Sequence, residues 1–225
     1  MIMLTIDALL WLGLHLGVAG TDLRYAATRR LGVNGYRGLF SVSSIAVMVL
    51  FCMSYAQSGP AIVLWSAPGW LRWVLALVML PAFVLFAAAF VRNPTAAGGE
   101  KFLQRDVQGI QRVTRHPMMV SYAIWAAVHM IGNGDLASLV FFGALFLTAV
   151  VGMPSIDRKT SDRDDYAWAK LERTTSTVPF AAILAGRNRF VPAEIGWVVP
   201  AVGAALWLGL LIFHHSIFGG APVSF

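Results

Sequence analysis

The feature that most constrains this chain is a set of long apolar runs that contain almost no charged residues. Six runs are about as long as the 20 residues that an α-helix needs to cross roughly 30 Å of hydrocarbon. They lie near residues 2–20, 39–56, 70–91, 113–131, 136–153 and 195–214. Charged residues make up only 12% of the chain, whereas soluble domains carry about 25%. The sequence therefore predicts an all-α membrane protein, in which the lipid bilayer surrounds a bundle of about six transmembrane helices.

The basic residues predict the orientation of these helices. All but one of the 17 lysines and arginines lie in three segments, 21–38, 92–116 and 154–193. Because cytoplasmic loops are enriched in lysine and arginine, we expect these segments in the cytoplasm and both termini outside, in the periplasm. The net charge of +6 then follows from topology, and no nucleic-acid partner is predicted.

The chain shows no internal repeat and no interdomain linker, so residues 1–225 are expected to form a single transmembrane domain. The first run contains Asp7 and follows no basic segment, which favours a retained span over a cleaved signal peptide. In the longest loop, the charge-dense stretch 157–173 predicts a helix at the membrane surface. The apolar stretch 178–185 is too short to span the bilayer and is expected to lie in the interface or to re-enter the membrane.

Histidines are the ionisable residues that stand out inside the predicted spans. His15 follows Trp11 by four residues in the first span, and His129 follows Trp125 by four residues in the fourth. Residues four apart lie on one face of a helix, so each histidine is expected to face the bundle interior beside a tryptophan. Ionisable groups inside a membrane are costly and mark candidate functional sites.

Two such histidines on different helices suit the axial positions of a haem iron. At about 1.5 Å per residue, His15 is expected about 18 Å and His129 about 5–10 Å below the outer surface. The alternative is that each histidine forms a hydrogen bond with a neighbouring helix. His214 and His215 end the sixth run and are interpreted as interfacial caps, although either could replace one of the two ligands.

The segment before the fourth span is rich in polar residues. Pro117 fits the first turn of a helix, and Thr114 is a candidate cap. Arg112 and Arg115 would then lie at the positive end of the helix dipole, where a carboxylate or a lipid phosphate would bind. The alternative is that these arginines only anchor the helix in the interface.

Several other kinds of site are excluded by their missing motifs. The sequence contains no Gly-rich phosphate loop, no Walker pattern, no HExxH and no Cys-x-x-Cys. Nucleotide-binding and soluble hydrolase chemistry are therefore not predicted. Cys52 is the single cysteine, so no intrachain disulfide can form.

Taken together, the polar motifs resemble the NnrU family of bacterial membrane proteins. The resemblance covers nearly the whole chain and is carried by Leu14-His15, residues 35–41, 109–117 and 125–129, Asn133-Gly134-Asp135, and residues 156–159, 179–187 and 214–219. It implies a multi-span protein of the bacterial inner membrane, associated with nitrite and nitric oxide metabolism in denitrification.

The NnrU family is in turn similar to 15-cis-zeta-carotene isomerase, a haem b membrane enzyme. This similarity implies that the chain binds haem b, with the aligned residues His15 and His129 as iron ligands and catalytic residues. It also implies that Trp11 and Trp125 lie near the porphyrin. An apolar polyene is the implied substrate for cis-trans isomerisation. One departure matters, because the isomerase has a cysteine three residues before its second histidine, where this chain has Ala126. A redox-dependent exchange of ligands at that position is therefore in doubt, and so is isomerase activity itself.

Two alternative functions remain open. Arg115-His116-Pro117 more distantly resembles the cofactor motif of isoprenylcysteine methyltransferases, which implies that Arg115 and His116 bind S-adenosylmethionine. Residues 164–179 are only a loose match to the rest of that site. The second alternative is a non-enzymatic haem protein that is a partner of respiratory complexes.

Overall fold

The computed structural model describes residues 1–58, 62–96 and 98–223, and most of these residues lie in helices. Within those ranges the only β-type pairing is one isolated bridge between Val63 and Asp135. The predicted all-α class is confirmed. The longer helices are α1 (Ile2–Leu12), α2 (Leu23–Ala56), α3 (Gly69–Ala88), α4 (Pro117–Asn133), α5 (Leu136–Ser161) and α6 (Asp165–Thr174), followed by the short α7 (Ala181–Leu184) and α8 (Pro192–Ile195) and by α9 (Val198–Phe218).

Four helices in the described part of the chain are long and apolar enough to cross a bilayer, namely α2, α3, α5 and α9. The first predicted span forms a shorter apolar helix, Ile2–Val18, in which α1 continues into the π-helical turn Gly13–Val18. The fourth forms α4, which has 17 residues. The chain is therefore a helical membrane protein, and the number of spans and the side of the termini stay predictions.

The predicted boundaries differ from the observed ones at several helices, and α5, for example, continues to Ser161, beyond the predicted end near residue 153. The second span was expected to begin near residue 39, but α2 begins at Leu23 and includes a break at Gly32, whose φ is 71°. Glycine adopts positive φ without the steric penalty of other residues, so the helix changes direction there. The fourth span begins at Pro117 instead of near residue 113, because residues 109–112 form a separate 3-10 turn.

The helices pack in a series, with α3 between α9 and α4, α5 between α4 and α1, and α1 beside α2. The main apolar core lies between α1, α2, α4 and α5 and includes Leu4, Phe51, Ala126, Phe141 and Phe142. By contrast, only 6% of the most apolar window of α2 and of α9 is buried. These two helices therefore present apolar side chains outward, as a lipid environment requires.

The longest loop forms the predicted surface helix in part. Helix α5 continues through residues 157–161, and α6 covers Asp165–Thr174. Asp164 caps α6 by accepting a hydrogen bond from the backbone N–H of Ala167 (3.0 Å), as an acidic N-cap residue does. The apolar stretch 178–185 contains only the single turn of α7.

Candidate functional site

His15 lies in the π-helical turn that follows α1. Its ring stacks on Trp11, with 3.7 Å between ring centroids, and its Nδ1 is 3.1 Å from the Trp11 carbonyl oxygen. Trp11 in turn donates from Nε1 to Thr148 Oγ1 on α5 (3.0 Å). The face that carries Trp11 and His15 therefore points into the bundle, and Asp7, four residues before Trp11, accepts a hydrogen bond from Ser54 on α2.

His129 has a similar local arrangement near the end of α4. Its Nδ1 is 2.8 Å from the carbonyl oxygen of Trp125, four residues earlier. The ring stacks on Phe142 of α5 at 4.7 Å between centroids, and Trp125 contacts both rings. Each tryptophan therefore accompanies its own histidine, as the sequence predicted.

The hydrogen bonds fix the tautomer of both imidazoles. A carbonyl oxygen can only accept a hydrogen bond, so Nδ1 of His15 and Nδ1 of His129 must carry the proton. In a neutral ring the remaining nitrogen, Nε2, then holds the lone pair. A histidine that donates from one nitrogen to a carbonyl and offers the other is the usual form of a metal ligand.

The structure does not bring His15 and His129 together. Helix α5 contacts both of their helices and gives a common scale along the bundle, because Phe142 contacts His129 while Thr148 binds Trp11. Further along, Ser155 of α5 donates to the Gly20 carbonyl, so His15 lies level with the part of α5 between residues 148 and 155. At about 1.5 Å per residue, the two histidines differ in level by roughly 9 Å or more.

A second histidine ring lies close to His129. It belongs to His214, near the end of α9. Their centroids are 6.3 Å apart and their planes differ by 26°. Nδ1 of His214 bonds the carbonyl oxygen of Gly220, and its ring contacts Phe218 at 4.9 Å. His214 is partly buried, whereas His215 is exposed.

The donor set restricts what these imidazoles could hold. Among the described residues, no group of three or more His, Cys, Asp and Glu side chains is arranged to hold a metal ion. Two imidazoles are sufficient only where another group supplies the remaining ligands, as the four porphyrin nitrogens do for a haem iron. The residues present therefore fit a haem better than a bare metal ion.

Arg115 and His116 form a second polar cluster with Asp157 of α5. His116 is 1% exposed, and its Nε2 donates to Asp157 Oδ1 at 2.7 Å, while its buried Nδ1 has no hydrogen-bond partner in the described part of the chain. Arg115 donates to the same carboxylate from Nη2 (2.6 Å) and Nε (3.1 Å), and its guanidinium lies 5.4 Å from the ring centroid of Trp168. This cluster joins the start of α4 to α5 and α6.

Arg112 is paired with a carboxylate of the chain in the same way. Its Nε and Nη2 bind Glu194 at 2.7 and 2.8 Å, and the Gly109 N–H binds Glu194 at 2.8 Å. These bonds lower the pKa of Glu194 from its usual 4.5 to about 2. The two arginines thus bind carboxylates of the protein itself, and the binding of an external anion at this segment stays a prediction. Thr114 is not the cap residue, because the helix N-cap is His116.

Comparison with known proteins identifies the family. A profile described as "NnrU protein" matches residues 3–222. The chain belongs to the NnrU family. This NnrU-family chain is 29% identical over 183 residues to a chloroplastic 15-cis-zeta-carotene isomerase of Zea mays, covering 78% of the chain and 48% of the relative. It is 26% identical over 180 residues to the Arabidopsis thaliana isomerase of the same name, covering 77% and 48%.

The NnrU-family chain spans about half the length of these curated relatives. No solved structure matches it. The family resemblance predicted from the motifs is confirmed, and the isomerase relatives do not favour the methyltransferase alternative. Sequence reasoning missed the partners of the polar motif, Asp157 and Glu194, since both lie far along the chain and no spacing rule connects them to Arg115 or Arg112.

Proposed function

We propose that this chain binds haem b within the membrane through His129 and acts as a cis-trans isomerase on an apolar polyene. The observation that carries the haem proposal is the Nδ1–carbonyl bond of His129, which leaves Nε2 with a lone pair beside aromatic rings. The similarity to 15-cis-zeta-carotene isomerases supports the isomerase part of the proposal.

When bound, haem would supply an iron that interacts transiently with a double bond and lowers its barrier to rotation. The residues of this chain would bind and orient the group. The Trp125 carbonyl holds the His129 ring in one tautomer, and Phe142 packs on one face of that ring. Ala126 is fully buried and offers no thiol, so the proposed site does not use a cysteine at this position.

His15 enters the proposal through the family resemblance, which implies it as the second ligand and as a catalytic residue. Its free Nε2 is compatible with that role. The level of His15 along α5 is not compatible with that role, because Trp11 binds Thr148 whereas His129 contacts Phe142. His15→Ala is therefore compared with His129→Ala in the spectroscopic test below.

The proposal includes a location in the bacterial inner membrane, with both termini in the periplasm, and the association with nitrite and nitric oxide metabolism that the resemblance implies. The three basic segments support this orientation. A reporter that is active only in the periplasm should be active when it is fused to the C-terminus. A reporter that is active only in the cytoplasm should be inactive at the same position. A deletion strain should grow more slowly on nitrate without oxygen than the complemented strain, and equal growth would remove the link to denitrification.

The structure gives no support to S-adenosylmethionine binding at Arg115 and His116. The guanidinium of Arg115 and Nε2 of His116 both bind Asp157, so these groups are already occupied by an internal carboxylate. A role as a non-enzymatic partner of respiratory complexes makes a different prediction from an isomerase. A respiratory protein should then co-purify with the haem-loaded chain, and no polyene should be converted.

The experiment that tests the proposed function is purification in mild detergent from haem-replete cells, with absorption spectra before and after dithionite. We expect a Soret band with sharp α and β bands after reduction in the wild type, and their loss in His129→Ala. His15→Ala is measured beside it, and an unchanged spectrum there would exclude His15 as a ligand. His215→Ala, which changes an exposed histidine, is the matched control and should keep the spectrum. A wild type without haem would refute the haem proposal. Conversion of 15-cis-zeta-carotene by the purified chain tests the isomerase part separately.

A further inference from the structure

We propose that a cavity between the end of α3, the loop that follows it and the start of α9 binds an anionic phospholipid, whose phosphate is held by Arg92 and Arg105. The cavity measures about 610 Å³, which lies within the range of about 300–1,000 Å³ that small-molecule sites occupy. Ile110 and Gln111, in the turn before α4, line it, so it lies at the opposite end of α4 from His129. The inference therefore does not depend on the proposed haem binding.

The apolar side of the cavity is built where α3 and α9 pack against each other in opposite directions. Gly203 lies so close to α3 that an added Cβ would be 2.7 Å from the Cα of Val84. One turn later in α9, Trp207 donates from Nε1 to the carbonyl oxygen of Ala76 at 2.6 Å. Val199, one turn before Gly203, therefore lies beside the last turn of α3, and it lines the cavity. This wall continues the apolar surfaces of two helices that are long enough to span a bilayer, so it can contact acyl chains.

Two exposed aromatic residues indicate that the cavity lies at the level of the membrane interface. Phe90 directly precedes the cavity residue Val91, and Trp197 lies between the cavity residues Ile195 and Val199. Phe90 is 68% exposed and Trp197 is 78% exposed. Tryptophan is enriched at the boundary between hydrocarbon and water, which is also the level of lipid phosphates. A phospholipid could therefore enter the cavity sideways from the bilayer.

The polar side of the cavity carries positive charge that the protein does not neutralise. Its four charged side chains are those of Arg92, Arg105, Asp106 and Glu194. Asp106 and Glu194 each bind a basic side chain from outside the cavity at 2.7 Å. Among the residues that the structure describes, no carboxylate pairs with Arg92 or Arg105. Guanidinium groups bind phosphate through several hydrogen bonds at once, and basic pockets beside membrane helices bind anionic headgroups.

The backbone at Arg92 is held in an uncommon conformation. Its φ is 49°, in the left-handed region that residues with a Cβ rarely adopt. Gln111, which is 7% exposed, donates from Nε2 to the Arg92 carbonyl oxygen, and Nη1 of Arg92 lies 3.5 Å from Gln108 Oε1. Strained residues of this kind recur at binding sites, where the surrounding structure holds them in place. A fixed backbone at Arg92 reduces the ordering that binding of a headgroup requires.

The test measures lipid binding to the purified full-length chain in detergent by native mass spectrometry. Phosphatidylglycerol and phosphatidylcholine with the same acyl chains are added separately, and we expect the anionic lipid to bind more tightly to the wild type. The double variant Arg92→Gln/Arg105→Gln should bind phosphatidylglycerol about 30-fold more weakly, since each basic residue near an anionic headgroup contributes a roughly fivefold change. Arg29→Gln/Arg30→Gln, which removes two exposed arginines of α2, is the matched control and should bind like the wild type. An equal loss in this control would assign the binding to overall positive charge and overturn the inference.

Val199→Trp tests the cavity itself, because it fills the apolar wall and keeps both arginines. We expect it to lose phosphatidylglycerol at unchanged net charge, and circular dichroism during heating checks that each variant stays folded. Glycerol 3-phosphate, which has no acyl chains, should bind far more weakly than phosphatidylglycerol. If it bound equally well, the ligand would be a soluble anion and the lipid assignment would be wrong. Unchanged binding of phosphatidylglycerol to Arg92→Gln/Arg105→Gln would also overturn the inference.

Discussion

The two histidine-containing clusters of this chain differ in what their side chains bind. At the start of α4, His116 and Arg115 share the carboxylate of Asp157, and His116 is almost completely buried. At the other end of α4, His129 and His214 each bond only a backbone carbonyl. The first cluster is closed by a charge of the protein itself, and the second is a stacked pair of imidazoles with 6.3 Å between ring centroids.

This difference separates a structural histidine from a candidate ligand better than the surrounding sequence does. His116 and His129 lie at opposite ends of the same helix, and both lie in motifs that resemble the family. The Asp157 carboxylate binds both Arg115 and His116, and the remaining ring nitrogen of His116, Nδ1, is buried. An imidazole held only by a helical carbonyl gains orientation and keeps its lone pair available.

The largest expected effect comes from removing the carboxylate that closes the first cluster. Asp157→Ala leaves Arg115 and His116 buried without their partner, and breaking a buried ion pair in this way costs about 3–5 kcal/mol. We expect a large loss of thermal stability in detergent, while the haem content of the protein that stays folded is unchanged. Glu172→Ala, which removes an exposed carboxylate of α6, is the control and should change stability little. A normal stability together with lost haem would mean that the first cluster is a binding site.

A smaller effect is expected from the histidine of the same cluster. His116→Ala removes the bond to Asp157 Oδ1 but leaves Arg115 in place, so we expect a loss of about 1–3 kcal/mol. His129→Ala should show the opposite pattern, with lost haem and a nearly unchanged stability of the apoprotein. Denaturation curves of both apoproteins and haem-to-protein ratios measure this crossover. Equal haem loss in both variants would break the distinction between the two clusters.

The fold was predictable where periodic apolar patterns dominate. The long apolar runs predicted the helices α3, α5 and α9, and the polar motifs predicted the family to which the chain belongs. The predicted start of α2 was wrong by a long segment, because the polar residues before residue 39 are helical on both sides of Gly32. A charge-based boundary cannot detect a helix that continues beyond the apolar region.

The candidate site was predictable only in part, because spacing rules describe one helix at a time. The four-residue spacing found Trp11 with His15 and Trp125 with His129, and each pair is in contact. It could not show which histidines from different helices meet. That depends on helix direction and on a glycine turn after α9, and these placed His214 next to His129.

The glycine that turns the chain after α9 offers a way to disturb the second cluster without changing a histidine. Gly219 has φ 76° and open space where a Cβ would lie, so Gly219→Ala introduces only backbone strain, about 1 kcal/mol. We expect a modest stability loss, because the strained turn weakens the hydrogen bond between His214 Nδ1 and the Gly220 carbonyl. Gly220→Ala is the matched control, since it too has open space but no positive φ. Equal thermal stability of the two variants would show that the turn after α9 does not require glycine at position 219.

The smallest effect is expected at the partly exposed pair of Arg112 and Glu194. Their side chains are 17% and 26% exposed, and ion pairs near a surface contribute about 1 kcal/mol or less. The pKa of Glu194 is lowered from 4.5 to about 2, so its contribution is present above pH 4.5 and is lost as the pH falls toward 2. Wild type should therefore be slightly more stable than Glu194→Gln at pH 6, and the difference should shrink below pH 4.5. A difference that stays constant from pH 6 to pH 3 would show that the charge of Glu194 does not contribute, and that the hydrogen bonds alone close this end of α4.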